Sequence, residues 1–265
     1  MSTADTEQRS VFSRALSLLT AFAGAPDGER TLTELARLSG LPLTTVHRLC
    51  GQLEREGVLE RLPAGAYRIG LRLWELGMLA PRSHGLREVA LPFLGDLYEV
   101  THQNVQLTVL DGTEAVVVER LRSRDAVQLR SGAGGRLPIH ATSGGIALLA
   151  YADTDLVTEV LRTPLTRFTE TTIQSEHELR SALAAVRQQG YIELRAHLTP
   201  GSVSVAAPIL VRSRVAVGAV SVVSDAESEA RILIPAILTT ARAIARALGA
   251  PRASGDALPS GRHAS

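Results

Sequence analysis

Residues 32–57 read LTELARLSGLPLTTVHRLCGQLEREG, and this stretch decides the fold of the N-terminal part of the chain. Apolar residues recur at helical spacing on both sides of Gly40, and Pro42 suits a first helical turn because its missing N–H would have no partner there. The pattern predicts two short helices joined by a tight turn, the first of them capped by Thr31 or Thr33. The leucines that this first helix is expected to bury are Leu32, Leu35 and Leu38.

The second helix is expected to have a buried stripe and a polar face. The spacing of three and four residues places one apolar set inward: Val46, Leu49, Cys50 and Leu53. The opposite face and its flanks carry short polar side chains and arginines: Thr44, Thr45, His47, Arg48, Gln52 and Arg55. Threonine and arginine reach phosphates and base edges, so the pair indicates a helix-turn-helix that places its second helix in the major groove. Cys50 is expected to act as a small buried apolar residue rather than as a redox sensor.

The period of the pattern changes after Gly57. VLERL at 58–62 and AYRIG at 66–70 alternate around PAG, which predicts a β-hairpin, the wing of a winged helix-turn-helix. Arginines at 61, 68 and 72 fall in this region and are expected to grip flanking phosphates. The residues expected to contact DNA are Thr33, Pro42, Leu43, Thr44, Thr45, His47, Arg48, Gln52, Arg61 and Arg68. The alternative is a protein-interaction module, since residues 1–80 hold nine arginines and nine acidic residues.

Composition bounds the remaining possibilities. The chain of 265 residues suits two modest domains, and its 45% of apolar residues suffices for real cores. A net charge of +1 says nothing about a partner, and all 28 basic residues are arginine. One cysteine excludes an intramolecular disulfide. No signal peptide and no apolar run long enough to cross a bilayer are apparent, so we expect a soluble cytoplasmic protein without a membrane partner.

The rest of the chain mixes strands and helices and predicts an α+β fold with its helices on one face of a sheet. NVQLTVL and EAVVVERL are expected to form a hairpin at Asp111-Gly112, and AVQLR, SVSVAAPIL and RVAVGAVSVV to form further strands. LREVALPFLGDLYEVTHQ predicts a helix with Pro92 near its start. The helices expected later are GGIALLAYA, DTDLVTEVLR, SEHELRSALAAVRQQG and AESEARILIPAILTTARAIARALG.

LRLWELGMLAPRS predicts a short apolar helix that carries Trp74, the only tryptophan. Its apolar face is expected to pack on a partner chain, or alternatively on the winged domain. The expected divisions are a disordered N-terminus at 1–9, a winged helix-turn-helix domain at 10–70, a linker helix at 71–84, an effector-binding and oligomerisation domain at 85–250 and a disordered tail at 251–265.

Several segments, in order, resemble one protein family. LTELARLSGLPLTTVHRLCGQLEREGVLER and YRIGLRLWELG resemble the N-terminal domain of the IclR-type bacterial transcriptional regulators. LREVALPFLGDLYEVTHQNVQLTVLDGTEAVVVERLRS, LPIHATSGGIALLA, RFTETTIQSEHELRSALAAVRQQGY and PGSVSVAAPIL with GAVSVV resemble its effector domain, so the likeness covers about residues 10–248. It implies a winged-helix domain, a linker helix and a GAF-like α/β sensor domain. It also implies a homodimer or a dimer of dimers on a palindromic operator, which a small molecule controls.

The resemblance also implies where an effector lies, namely at the loop that opens the HAT helix and against the late strands. The matching positions are Ser143, Gly144, Gly145, Leu194, Ser204, Ser221 and Val223. Leu194 stands where the family has aspartate, and Val223 replaces one of a pair of serines. A small polar acid would therefore leave groups unpaired, so we expect an organic acid or aromatic compound with an apolar body and one polar end. The glycine loop is alternatively a tight turn and helix cap.

Arg195 and His197 are candidates for positive charge at the rim of the pocket, or are simply solvated. The residues show no catalytic constellation, no metal-ligand spacing and no cofactor motif. We therefore expect a regulator, with repression as the expected sign. The alternatives are a ligand-independent regulator with a degenerate sensor domain, and an enzyme that keeps a DNA-binding-like domain for partner recognition.

Overall fold

The structure is a computed structural model that describes residues 10–25, 27–79, 81–123, 127–129, 132–211, 214–227 and 230–249. The chain forms two compact units: residues 1–85 with 131–135, and residues 86–130 with 136–265. The segments 1–9 and 251–265, which the sequence predicts to be disordered, lie outside the described residues.

The first unit is a small helical head with a three-stranded sheet. Its helices are α1 (Val11–Thr20), α2 (Leu32–Ser39), α3 (Leu43–Arg55) and α4 (Leu71–Met78). Its strands are β1 (Glu29–Arg30), β2 (Leu59–Arg61) and β3 (Tyr67–Ile69), which pair antiparallel in the order β1-β3-β2. The predicted wing is thus β2 and β3, and β1 is a strand that the sequence did not predict.

Helix α2 shows how local signals set its ends. Thr31, rather than Thr33, is the cap: its hydroxyl accepts from the Glu34 N–H at 3.3 Å, and the Glu34 carboxylate accepts from the Thr31 N–H at 2.9 Å. Gly40 ends the helix with a left-handed φ of 68°. The prediction that Leu38 is buried is wrong, since 43% of it is exposed. Leu38 lies about 100° around the helix from Ser39, which takes the buried position instead.

Helix α3 follows the prediction more closely. Val46, Leu49 and Cys50 are buried, Leu53 is partly buried, and they pack with Leu18 of α1 and other apolar residues. Pro42 is the residue before the helix, and it makes no side-chain cap. The inward stripe is therefore the core of the first unit, and the opposite face is free for another use.

Burial makes Cys50 a poor nucleophile. Desolvation raises the pKa of its thiol from 9.0 to about 11, and the nearby Glu54 carboxylate adds to the rise. The neutral thiol thus favours the folded state fully below pH 9, and this contribution is lost as the pH rises toward 11. We expect iodoacetamide to leave the native protein unmodified and to alkylate it rapidly in denaturant, as mass spectrometry would show. Equal rates in both conditions would contradict the buried position.

The second unit is built on a six-stranded antiparallel sheet in the order β6-β5-β4-β9-β8-β7. The strands are β4 (Asn104–Asp111), β5 (Glu114–Leu121), β6 (Arg136–Pro138), β7 (Ile192–Arg195), β8 (Ser202–Leu210) and β9 (Ala216–Asp225). The helices are α5 (Pro81–Thr101), α6 (Ser143–Leu149), α7 (Thr154–Arg162), α8 (Glu176–Gln189) and α9 (Ala230–Gly249). The predicted α+β class is confirmed, whereas β6 and β7 were not predicted as strands.

Helices cover both faces of this sheet, so the expectation that they lie on one face is wrong. Leucines of α5 and apolar residues of α9 pack with Val205 and Val222 on one face. Helices α6, α7 and α8 pack with Ala206 and Ala219 on the other face. The physical reason is visible in SVSVAAPIL and AVGAVSVV, where small and apolar residues occupy both alternating sets, as strands covered on two sides require.

Two further predictions differ from the structure. The compact units divide after Gly85, next to the expected boundary between 84 and 85. Helix α5, however, begins at Pro81, so Pro92 lies in its interior rather than near its start. Pro92 is exposed, so the hydrogen bond that it interrupts lies on the solvent side. The described part of AVQLR, residues 127–129, is irregular rather than a strand.

Helix α9 qualifies the expectation about membranes. It is the one helix in the described part of the chain whose length and mean hydropathy of 1.4 would suit a membrane span. Ile237, Ala241 and Ile244 are nevertheless buried in the core against the sheet, and Arg242 and Arg246 interrupt its C-terminal half. One side of this helix thus packs on the sheet, although only 17% of its most apolar 18 residues are buried.

Candidate DNA-binding and effector-binding sites

The outward face of α3 is the first candidate site. Thr44, His47, Arg48 and Gln52 are exposed on it, and Thr45 is partly exposed. Arg48 forms no ion pair with any described residue, so its guanidinium is available to a ligand. Of the other residues expected to touch DNA in this region, Thr33, Pro42 and Leu43 are also exposed.

The start of α3 favours an anion. No acidic residue lies in its first turn, and no side chain caps its N–H groups. The free N–H groups and the helix dipole together attract phosphate. In α2 the Glu34 carboxylate fills the corresponding place, so α3 is the one of the two helices whose start is open.

The wing arginines differ from one another. Arg68 pairs with Glu60 directly across the hairpin, with 2.6 Å between guanidinium and carboxylate. Arg61 lies 5.9 Å from the centroid of the Tyr67 ring and has no acidic partner among the described residues. Arg72 belongs to α4 rather than to the hairpin, and it pairs with Glu75 at 3.0 Å. Arg61 is therefore the wing cation most ready for a phosphate.

The second candidate site lies on the sheet face that α6, α7 and α8 cover. Strand register places Leu194, Ser204, Val223 and Asn104 side by side in one row across β7, β8, β9 and β4. The neighbouring row on the same face contains Ile192, Ala206, Ser221 and Gln106. The structure thus brings the four predicted strand residues, from positions 194 to 223, onto one face with the start of α6.

Three residues of β4 belong to this face and were missed by the sequence reasoning. Asn104, Gln106 and Thr108 alternate along NVQLTVL and have 0%, 7% and 4% of their surfaces exposed. The signal was present, because three polar residues at period two in a central strand must face one covered side. Arg120 of β5 lies opposite Gln106, and its guanidinium donates to the Asn104 Oδ1 at 2.8 Å.

Some of these polar groups lack protein partners. The side chains of Gln106, Thr108, Ser143 and Ser221 are buried and make no hydrogen bond with another described residue. Their polar atoms are not fully enclosed, since the enclosed side-chain atoms without a partner in the described residues are Arg14 Nε and His197 Nδ1, so the four side chains stay accessible to water or a ligand. Together with half-buried Arg120, they form a polar patch that could recognise a ligand with a carboxylate or hydroxyl group.

The glycine loop has a structural explanation of its own. A Cβ on Gly145 would lie 2.6 Å from the Ile139 carbonyl oxygen and from the Thr142 hydroxyl. The Gly145 N–H donates to that hydroxyl at 3.2 Å, so it is already used as a cap. A Cβ on Gly144 would lie 3.0 Å from the Thr108 hydroxyl, so α6 approaches β4 closely only because this residue is glycine. Packing alone accounts for both glycines, and a role in binding stays a prediction.

The two rim candidates do not join the polar patch. Arg195 is exposed and pairs with Glu193 at 2.7 Å. His197 is half-buried, and burial lowers the pKa of its imidazole, which keeps it neutral near pH 7. His140 is packed, with its Nε2 2.9 Å from the Thr166 carbonyl oxygen. Within the described ranges, no group of three or more His, Cys, Asp or Glu could hold a metal ion.

Comparison with known proteins identifies the family of both units. The family model of the IclR helix-turn-helix domain matches residues 11–63, and that of the bacterial transcriptional regulator IclR C-terminal domain matches residues 78–250. The transcriptional repressor IclR of Escherichia coli is 32% identical over 190 residues, which are 70% of this chain and 69% of that protein. The glycerol operon regulatory protein of Streptomyces coelicolor is 32% identical over 248 residues, 90% of this chain and 96% of that protein.

Solved structures of the same family are also similar to this chain. An IclR homologue from Microbacterium hydrocarbonoxydans, crystallised in complex with 4-hydroxybenzoate, has a TM-score of 0.81 and 30% sequence identity. The match covers 91% of this chain and all of that one. The similar proteins are regulators of transcription rather than enzymes.

Proposed function

The chain belongs to the IclR family of bacterial transcriptional regulators, and from this premise we propose that it is a cytoplasmic repressor controlled by a small organic effector. The single observation that carries the DNA-binding part is the outward face of α3, with exposed Arg48 beside an uncapped helix start. Thr44, Thr45 and Gln52 share that face and would contact base edges and phosphates in the major groove.

The proposed assembly is a homodimer or a dimer of dimers on a palindromic operator. Leu71 and Trp74 of helix α4 and Leu79, the residue that follows it, have 63%, 60% and 76% of their surfaces accessible in a single chain. Phe12 of α1 is 71% exposed as well. Exposed apolar side chains of this size favour association, and a second copy related by two-fold symmetry would present a second α3 to the adjacent half-site.

The proposed effector is an organic acid with an aromatic or other apolar body. The patch on the α6 side of the sheet places Gln106, Ser221 and Ser143 among apolar residues such as Leu194 and Val223. These polar groups suit a carboxylate or hydroxyl, and the apolar residues suit a ring. The Microbacterium homologue was crystallised with 4-hydroxybenzoate, which has this combination of groups.

Substitutions in the polar patch test this proposal. Gln106→Leu and Ser221→Ala each remove a hydrogen-bonding group without removing the fold, so effector affinity is expected to fall about fivefold to a hundredfold. The measurement is calorimetric titration with 4-hydroxybenzoate and related aromatic acids. Ser224→Ala is the matched control, because Ser224 is equally buried on β9 but faces the opposite side of the sheet.

The second candidate is a regulator that binds DNA without an effector. The replacement of polar pocket residues by Leu194 and Val223 favours it. The test is a thermal-shift screen of small organic acids. If no compound raises the melting temperature, the result supports this candidate over a ligand-controlled repressor.

A further inference from the structure

A cavity of about 310 Å³ lies at the edge of the large sheet, beside the start of β7, where β8 continues without β7 as a neighbour. Strand β7 pairs with β8 only as far as Ala206, so Pro208 and Leu210 line a stretch of sheet edge without a neighbouring strand on that side. Proline suits such an edge, since it has no N–H to leave unpaired. The end of α8 and one side of α9 complete the walls.

Three arginines from three different elements line this cavity. They are Arg187 in the last turn of α8, Arg214 in the turn between β8 and β9, and Arg242 on α9. No acidic residue is among the lining residues. None of the three arginines forms an ion pair with an acidic residue in the described part of the chain.

Two of the arginines are held in place by contacts with neutral groups, which do not neutralise the positive charge of the guanidinium. The Arg187 Nε donates to the Ala150 carbonyl oxygen at 2.5 Å, at the end of α6. The Arg214 guanidinium lies 5.8 Å from the centroid of the Tyr151 ring. Arg242 has neither contact. Three like charges around one concavity repel one another, and an anion placed between them removes that repulsion.

The contrast with other arginines of the same unit makes the cluster specific. Arg136 pairs with both Asp111 and Glu114, and Arg180 pairs with Glu176. An arginine with no ion pair to a described residue also occurs elsewhere on this unit, as at Arg162, so the specific feature is that three of them share one cavity. The cavity has no acidic lining residue, while a tyrosine ring and apolar side chains line the same space.

We infer that this cavity binds a small phosphorylated metabolite, at a site separate from the polar patch proposed for the effector. The planar guanidinium groups of Arg214 and Arg242 would hold the phosphate oxygens in bidentate fashion, with Arg187 beside them. Tyr151 and Leu238 would contact the organic part. The volume is at the lower end of ordinary ligand pockets, which suits a compact ligand rather than a duplex backbone.

The test is calorimetric titration of the full chain with inorganic pyrophosphate as the probe. The wild type is expected to bind it, and the double variant Arg214→Gln with Arg242→Gln is expected to bind at least about tenfold more weakly. Arg162→Gln is the matched control, because Arg162 is exposed on α7, has no ion-pair partner among the described residues and does not line the cavity. Unchanged melting temperatures would show that the variants fold.

Four results would overturn the inference. They are the absence of pyrophosphate binding by the wild type, an equal loss in the Arg162→Gln control, a change of oligomeric mass in the double variant, and displacement of pyrophosphate by duplex DNA of unrelated sequence. The last two would assign the arginines to a subunit contact or to DNA. The same double variant is also titrated with aromatic acids. Because the two sites are separate, its affinity for these acids is expected to equal that of the wild type, which distinguishes this outcome from a failure of the effector site.

Discussion

Arg48→Ala is expected to weaken operator binding by about tenfold to a hundredfold for each half-site, without unfolding the protein. Arg48 is exposed in the first half of α3 and has no ion-pair partner among the described residues, so its removal costs the head no ion pair. A dimer would lose the contact twice. A gel-shift or fluorescence-anisotropy titration at one fixed salt concentration measures the change, because the phosphate contribution depends on salt.

A second arginine on the same face separates specific contact from general charge. Arg55 is the last residue of α3, exposed and at the end of the helix remote from the expected base contacts. Arg55→Ala is expected to have a clearly smaller effect on the operator than Arg48→Ala. If both variants lose affinity equally, and equally for unrelated DNA, then α3 does not read the operator through Arg48.

Gly70→Ala is expected to lower the free energy of unfolding of the first unit by about 3 kcal/mol or more. Gly70 connects the wing to α4, and its N–H donates to the Val58 carbonyl oxygen at 2.8 Å. A Cβ there would lie 2.2 Å from the Gly57 carbonyl oxygen and 3.1 Å from the Val58 carbonyl carbon. The contacted atoms are backbone, so no side-chain rotation relieves the clash, and the wing must separate from the start of α4.

Thermal unfolding by circular dichroism measures this change, with Trp74 as a local fluorescence reporter because it is the only tryptophan and lies in α4. A loss of this size corresponds to a fall of about 10 °C or more in the melting temperature of a head this small. Operator affinity is expected to fall as well, since the wing and α3 would no longer be held together.

Gly51→Ala is the matched control for the same head. Gly51 lies inside α3, and a Cβ there would meet no described atom within 4 Å apart from its own helix backbone and its chain neighbours. Alanine is the better helix former, so this variant is expected to gain about 0.5–1 kcal/mol. If the Gly70→Ala and Gly51→Ala proteins have the same melting temperature, then the base of the wing accommodates a Cβ at position 70, and the prediction is wrong.

Repeating patterns of neighbouring residues were enough to predict the helix-turn-helix. Thr31, Gly40 and the inward stripe of α3 follow from capping, turn geometry and helical spacing, which act within one or two turns of helix. The β4–β5 hairpin at Asp111-Gly112 is equally local. The pocket positions came from a family resemblance, and strand register then placed Leu194, Ser204, Ser221 and Val223 on one face.

The sequence by itself thus determined the head, the exposed polar face of α3 and the class of the second unit. Only the tertiary structure decided that helices cover both faces of the sheet, that Asn104, Gln106 and Thr108 join the polar face, and that Gly70 leaves room for a backbone oxygen. It also gathered three arginines from distant segments around one cavity. The reason is physical: periodicity and capping depend on residues a few positions apart, whereas burial, close approach and shared charge depend on segments that only the folded chain brings into contact.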